Sequence, residues 1–213
     1  MRRMNVPYLI IALSGLVLAA CAGNTVETRP DEANSAKPVE QAKKAEIYIR
    51  NGFACCNLHY DGDWISDSSL AQLPFIAVGT PIKVKKIDAY RAYVEVDGKP
   101  MRLGLDYGRT QETTEQWVNK LVVLEDPKLK MARFAPSTRK AIEAGKLLRG
   151  MSKEQVVMSI GYPQTNENPD LNGPYWRYWW SSFGPYYVYW AKGTVSKIEG
   201  HSETVGHMVY KGK

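Results

Sequence analysis

The sequence predicts an α+β protein, with a small β-rich meander or barrel in its first folded half and a helical hairpin followed by a three-stranded antiparallel meander in its second. Three observations predict it. Arg91 to Val96 and Lys99 to Leu105 alternate around Asp97-Gly98, a pair that tolerates the positive φ values of a type I′ hairpin turn. Gly150 to Pro163 reads as a short helix with both ends specified. Tyr175 to Trp180, Tyr186 to Ala191 and Thr194 to Gly200 are β-prone runs separated by a Ser-Ser-Phe-Gly-Pro turn and a Lys192-Gly193 turn.

The helix is the best-specified element. Ser152 and Gln155 form a capping box, in which the hydroxyl accepts from the Gln155 N–H and the Gln155 side chain accepts from the Ser152 N–H. Met151 and Val156 are spaced for a hydrophobic staple, and Val156, Val157 and Ile160 share one side. Gly161 is expected to take the left-handed position that ends the helix, and Pro163 bars its continuation. Isolated helices shorter than roughly 12 residues are marginal, so this one must dock on an apolar face. The strands that follow supply such a face.

At the N-terminus, Arg2 and Arg3 precede an apolar run from Val6 to Ala20, about 15 residues and shorter than the roughly 20 a membrane-spanning helix needs. Residues 1–20 therefore read as a secretory signal peptide. They lead into Leu18-Ala19-Ala20-Cys21, which resembles the lipobox of bacterial lipoproteins. That resemblance implies cleavage before Cys21 and attachment of lipid to Cys21. Residue 22 is Ala and not Asp, so the implied address is the periplasmic face of the outer membrane of a Gram-negative cell, reached through the N-terminal lipid. Residues 21–45 are rich in Ala, Glu, Lys, Asn and Pro without apolar periodicity, and read as a disordered tether with a root-mean-square span of about 25 to 30 Å.

Loss of Arg2 and Arg3 with the signal peptide leaves 26 basic against 22 acidic side chains. So mild a balance does not imply a nucleic-acid partner, and export argues against one independently. The distribution is uneven: residues 47–127 carry 9 basic and 11 acidic side chains, residues 128–213 carry 13 and 6. The second half is the one suited to anionic headgroups or an acidic partner.

Residues 46–126 are expected to form one β-rich domain. Glu46 to Arg50 reads as a strand, Ile82 to Ile87 as another, then the Asp97-Gly98 hairpin, and Thr113 to Leu121 as a helix with Trp117 and Leu121 on one face. The run from Pro74 to Leu105 resembles the bacterial SH3-like domain, which implies a small barrel. Asp61, Asp63 and Asp67 lack the spacing of a calcium loop, because Trp64 and Ile65 interrupt it and Gly62 stands in the wrong place. They read as solvated acids on a turn. With Cys21 lipidated, Cys55 and Cys56 are the only thiols in an oxidising compartment, and a vicinal disulfide or a pair of buried or free thiols are both open.

Residues 134–213 are expected to form a second domain. A helix opens at Pro136-Ser137-Thr138 and runs to Gly145, and a polar loop from Gln164 to Pro174 precedes the meander. Gly150-Met151-Ser152, Gln155-Val156, Gly161-Tyr162-Pro163, Trp176-Arg177-Tyr178 and Val195-Ser196-Lys197-Ile198, within residues 135–200, resemble the SmpA/OmlA (BamE-like) family of outer-membrane lipoproteins. The resemblance implies two helices packed on one face of the sheet, and a scaffold or accessory role in the envelope with no catalytic residues. The chain departs from that family in carrying residues 46–126 between tether and module.

The aromatic strands are the expected working surface. Alternation sends Trp176, Tyr178 and Trp180 to one face and Tyr175, Arg177 and Trp179 to the other, and only one set can cover the helices. Tyr175, Arg177, Trp179, Tyr186 and Trp190 are the candidate partner-binding residues, with Arg177 suited to cation–π stacking or an anionic ligand. No nucleophile elbow, phosphate loop or zinc-spaced His cluster is present; His59, His201 and His207 lie outside any motif. The expectation is a non-enzymatic envelope protein with a protein partner and no cofactor or metal. A cell-wall peptide or glycan module, or an inhibitor of a secreted hydrolase, are the competing expectations.

Overall fold

A computed structural model describes residues 48–212, which belong to one compact unit of mixed α+β structure. The signal peptide, Cys21 and the tether lie outside the described residues. The elements in chain order are β1 (Arg50–Ala54), β2 (Leu58–His59), β3 (Trp64–Ser66), β4 (Phe75–Ile76), β5 (Pro81–Ile87), β6 (Ala92–Val96), β7 (Lys99–Gly104), α1 (Thr114–Leu121), β8 (Val122–Val123), α2 (Pro127–Met131), α3 (Pro136–Glu143), α4 (Lys153–Ile160), β9 (Tyr175–Trp179), β10 (Pro185–Ala191), β11 (Thr194–Gly200) and α5 (Ser202–Met208).

A six-stranded sheet in the order β3-β7-β6-β5-β1-β8 carries the first core. Its central hairpin forms as the sequence predicts, with Asp97 and Gly98 at φ 50° and 75°. Helix α1 is held by a Thr113–Gln116 capping box and buries Trp117, Val118 and Leu121 on the sheet. Of the strand expected over Glu46–Arg50, Glu46 and Ile47 lie outside the described residues, and β1 runs from Arg50 to Ala54. At Gly52 a Cβ would stand 2.5 Å from the Val123 carbonyl oxygen, so only glycine lets β8 pair so closely with β1.

Asp67 is not a solvated acid. It is buried, and its carboxylate accepts from the backbone N–H groups of Asp106 at 2.6 Å, Tyr107 at 3.2 Å and Gly108 at 2.6 Å. A carboxylate that meets three donors offsets its desolvation, and here it ties β3 to the loop after β7. Asp63 and Arg102 close the other side of that parallel pair with two hydrogen bonds.

The second core lies between α3, α4, α5 and the three-stranded sheet β11-β10-β9. The capping box of α4 is present as read, and Met151 and Val156 are both buried in this core. Gly161 ends the helix differently from expectation: its φ of 80° comes with a ψ of −180°, an extended mirror-image conformation essentially restricted to glycine, and not the left-handed helical one. A Cβ there would also approach the Ser69 hydroxyl to 3.1 Å. Helix α4 is a wedge: Val156, Met158 and Ile160 enter the second core, while Val157 packs against both cores.

Asn57 joins the two. Only 1% exposed, it donates through Nδ2 to the carbonyls of Ile142 at 2.7 Å and Ser159 at 2.9 Å, and through its backbone to Met158. Its Oδ1 accepts from the Val78 N–H at 3.0 Å. Farther along the boundary, the Ala71 and Gln72 N–H groups donate to the carbonyls of Trp179 and Trp180. Asn57→Leu removes every side-chain bond and deprives the Ser159 carbonyl and the Val78 N–H of their partner, at about 1 to 3 kcal/mol each, while the Ile142 carbonyl keeps the Gly145 N–H. Urea unfolding should show a loss of about 2 kcal/mol or more.

His59 is buried, with Nδ1 against the Leu73 carbonyl at 3.0 Å and Nε2 without a partner among the described residues. Desolvation lowers its pKa below the ordinary value, opposed by the Leu73 hydrogen bond. The folded protein therefore resists a proton that the unfolded chain accepts below about pH 6.5, and stability falls as pH drops through that value. Thermal unfolding midpoints measured between pH 7 and 5 should decline, and His59→Gln should flatten that decline.

Candidate functional site

Strands β9 and β10 pair with Trp179 opposite Pro185, Arg177 opposite Tyr187 and Tyr175 opposite Tyr189. Odd-numbered residues of both strands therefore share one face and even-numbered residues the other. Strand β11 continues the odd face with Glu199 opposite Tyr187 and Lys197 opposite Tyr189.

The even face is spent on the core. Trp176, Tyr178, Tyr186, Val188 and Val195 are buried there with α3 and α4. Tyr178 stacks on Tyr186 with ring centroids 5.7 Å apart and donates its hydroxyl to the Gly161 carbonyl at 3.1 Å. Trp176 meets Trp190 edge-on at 4.6 Å and donates its indole N–H to the Leu171 carbonyl. Burial pushes the Tyr186 phenol well above its ordinary pKa, and the hydroxyl has no partner among the described residues.

Tyr186 and Trp190 are thus not part of an outward surface. Both belong to the inner face, Tyr186 fully buried and Trp190 half-buried against Trp176. The phase between the strands is decided by the turn, where Trp180 and Gly184 are bonded across Ser181 to Phe183. Tyr175, Arg177 and Trp179 do lie on the outer face, and the residues joining them are Tyr187 and Tyr189. Counting back from the Ser181–Gly184 turn is the signal that could have found them.

On the outer face Tyr175 is 45% exposed and the others are half-buried. Its ring meets Tyr187 at 5.6 Å and Tyr189 at 5.5 Å. The Arg177 guanidinium lies 4.5 Å from the Trp179 ring centroid and 6.0 Å from that of Tyr187, as its setting among rings suggested. Glu167 answers its charge, 3.5 Å from Nη1, and accepts the Trp179 indole N–H at 2.7 Å. Lys197 lies over Tyr189 and pairs with Glu199, which holds the Glu199 carboxyl below the usual carboxylate range.

The loop that carries Glu167 is fixed by Asn168, whose side chain accepts from the Arg177 N–H at 2.8 Å and donates to the carbonyls of Arg177 and Gln164. The result is a preset face of four aromatic rings crossed by two cations and two carboxylates. Such a face favours a partner that offers flat apolar groups and hydrogen-bonding edges.

Elsewhere, Cys55 and Cys56 are bonded to one another as a vicinal disulfide. Cys56 is buried, and Cys55 lines a cleft of about 610 Å³ with Val123, Val157, Met158 and Tyr162. Among the described residues no helix is long and apolar enough to cross a membrane, and no group of His, Cys, Asp and Glu could hold a metal ion. His201 precedes α5 as an exposed residue, whereas His207 stacks on Trp180 at 4.5 Å with the planes 5° apart.

No family model, curated protein or solved structure matches the chain. The site therefore rests on its own geometry.

The two faces make opposite predictions for neighbouring tyrosines. Tyr186→Ala should cost about 3 to 5 kcal/mol in urea unfolding, as for other buried aromatic truncations, whereas Tyr187→Ala should leave stability nearly unchanged. Tyr186→Phe should not destabilise, because the hydroxyl it removes is buried and unpaired.

Proposed function

We propose that this chain is a non-enzymatic lipoprotein of the outer membrane that faces the periplasm and acts as a scaffold or accessory factor in envelope assembly or integrity. Lipid on Cys21 anchors it, and residues 21–45 let the folded part stand off the membrane. In this reading residues 46–126 are an SH3-like domain and residues 134–213 a SmpA/OmlA (BamE-like) module. A protein partner docks on the outer aromatic face.

The observation that carries the proposal is the asymmetry of the C-terminal sheet. Its even face is consumed by the protein's own helices, while Tyr175, Arg177, Trp179, Tyr187 and Tyr189 are left out of both cores. Interfaces are enriched in Tyr, Trp and Arg, and here those residues are already oriented by Glu167 and Asn168. A partner therefore meets side chains whose rotamer entropy is already spent, which favours affinity. The basic second half suits an acidic partner surface.

The test is recovery of the C-terminally tagged protein from detergent-solubilised outer membranes, with crosslinking through position 187. A defined envelope protein should be captured, and a Trp179→Ala, Tyr187→Ala double variant should lose it while melting like the parent. Cys21→Ser should move the protein from the membrane to the soluble periplasmic fraction. Capture that persists in the double variant removes the aromatic face from the proposal, and membrane retention of the Cys21 variant removes the lipid anchor.

A further inference from the structure

Two hydrogen-bonding groups of the first core, His59 Nε2 and Trp117 Nε1, have no partner among the described residues, and their side chains line the same small cavity. Both residues are interior, His59 4% and Trp117 2% exposed. A buried polar group left unmet is costly, so two of them at the wall of one cavity call for a shared explanation.

The two groups have opposite roles. The Leu73 carbonyl, 3.0 Å from His59 Nδ1, can only accept, so Nδ1 carries the proton. Desolvation lowers the His59 pKa and favours the neutral ring, in which one nitrogen donates and the other accepts. Nε2 is therefore a lone pair in need of a donor. The Trp117 indole nitrogen is a donor only. The cavity between β2, β3, α1 and the Gly161-Tyr162 segment that follows α4 offers about 10 Å³, on the order of the room one water occupies. Ser69 also lines it. Its hydroxyl hydrogen goes to the Ile160 carbonyl at 3.3 Å, which leaves the oxygen free to accept.

We propose that this cavity is a binding site for one structural water, which accepts from the Trp117 indole N–H, donates to His59 Nε2 and turns its second hydrogen to the Ser69 hydroxyl. Three bonds are the usual complement of a buried water. The chemistry of the wall disfavours other occupants of that size. A cation would suit the His59 lone pair and be repelled by the indole N–H, an anion would meet the reverse, and an apolar group would leave both unmet. Water donates and accepts at once. The bridge ties β2 to α1 inside the first core and extends through Ser69 to the end of α4. The site is separate from the aromatic face, so its fate does not depend on the proposal above.

The test uses the full-length protein in detergent, labelled with nitrogen-15 in histidine and tryptophan, at a pH above the ordinary histidine value of about 6.5. Long-range proton–nitrogen spectra should show His59 with its proton on Nδ1 and none on Nε2. The Trp117 indole proton, identified by its loss in Trp117→Phe, should give a cross-peak to a long-lived water. In His59→Phe, which deletes the acceptor and keeps a ring, that cross-peak should be lost. A proton on Nε2, no water cross-peak in the parent, or a cross-peak undiminished in His59→Phe overturns the proposal. So does a scalar coupling between Trp117 Nε1 and His59 Nε2, which would show the two bonded directly with no water between them. Should His59→Phe fail to fold, the tautomer and the cross-peak of the parent decide the matter alone.

Discussion

Much of this structure hangs on one buried carboxamide. Asn57 sits just after the disulfide and is bonded at once to the carboxyl-terminal turns of α3 and α4 and to the strand of chain before β5. Helix ends leave carbonyls that need partners, and two of those partners come from a single side chain belonging to the other core. An apolar residue could fill the volume but would strand the Ser159 carbonyl and the Val78 N–H. Because a buried amide is favourable only when its donors and acceptor are all met, the two cores have one relative placement that satisfies it. Asp67 applies the same logic within the first core, where its carboxylate holds three backbone donors.

Once the cores are joined in this way, the C-terminal sheet has one face fully occupied. The inner rings are committed to α3 and α4, and Tyr178 is tied to the end of α4 by its hydroxyl. The outer rings cannot follow, since alternation within a strand sends them the other way. They are organised instead by a loop, with Glu167 placed between Arg177 and Trp179 and Asn168 bonded along the strand edge. The outward face is thereby a consequence of the packing, held in place by that loop.

The elements readable in the sequence are those whose determinants lie within a few residues. The α4 capping box needs only Ser152 and Gln155, and the β6–β7 turn needs only Asp97 and Gly98. Helix α5 was not legible: it has Gly206 in its middle and buries only Thr204 and Met208, so no apolar period marks it. The β3–β7 pairing was hidden for another reason. It is parallel, formed by two segments whose register depends on a carboxylate 41 residues from its last donor. The candidate surface was half legible, because alternation within β9 is local while the phase of β10 depends on how the turn closes. A vicinal disulfide and two free thiols have the same local sequence, and only the fold puts Cys55 on a cleft and Cys56 inside.

By itself the sequence determined where α1, α3 and α4 begin, where the hairpin reverses, and which residues of β9 share a face. Those are properties of neighbours, governed by backbone conformation and periodicity. The tertiary structure decided that Asn57 joins the two cores across 85 and 102 residues, that Asp67 is buried, that Tyr186 turns inward while Tyr187 turns outward, and that β8 ends the sheet among the described residues. These depend on which groups remain unmet after the local structure has formed, and a buried polar group can be met only by whatever the rest of the chain brings within hydrogen-bonding distance.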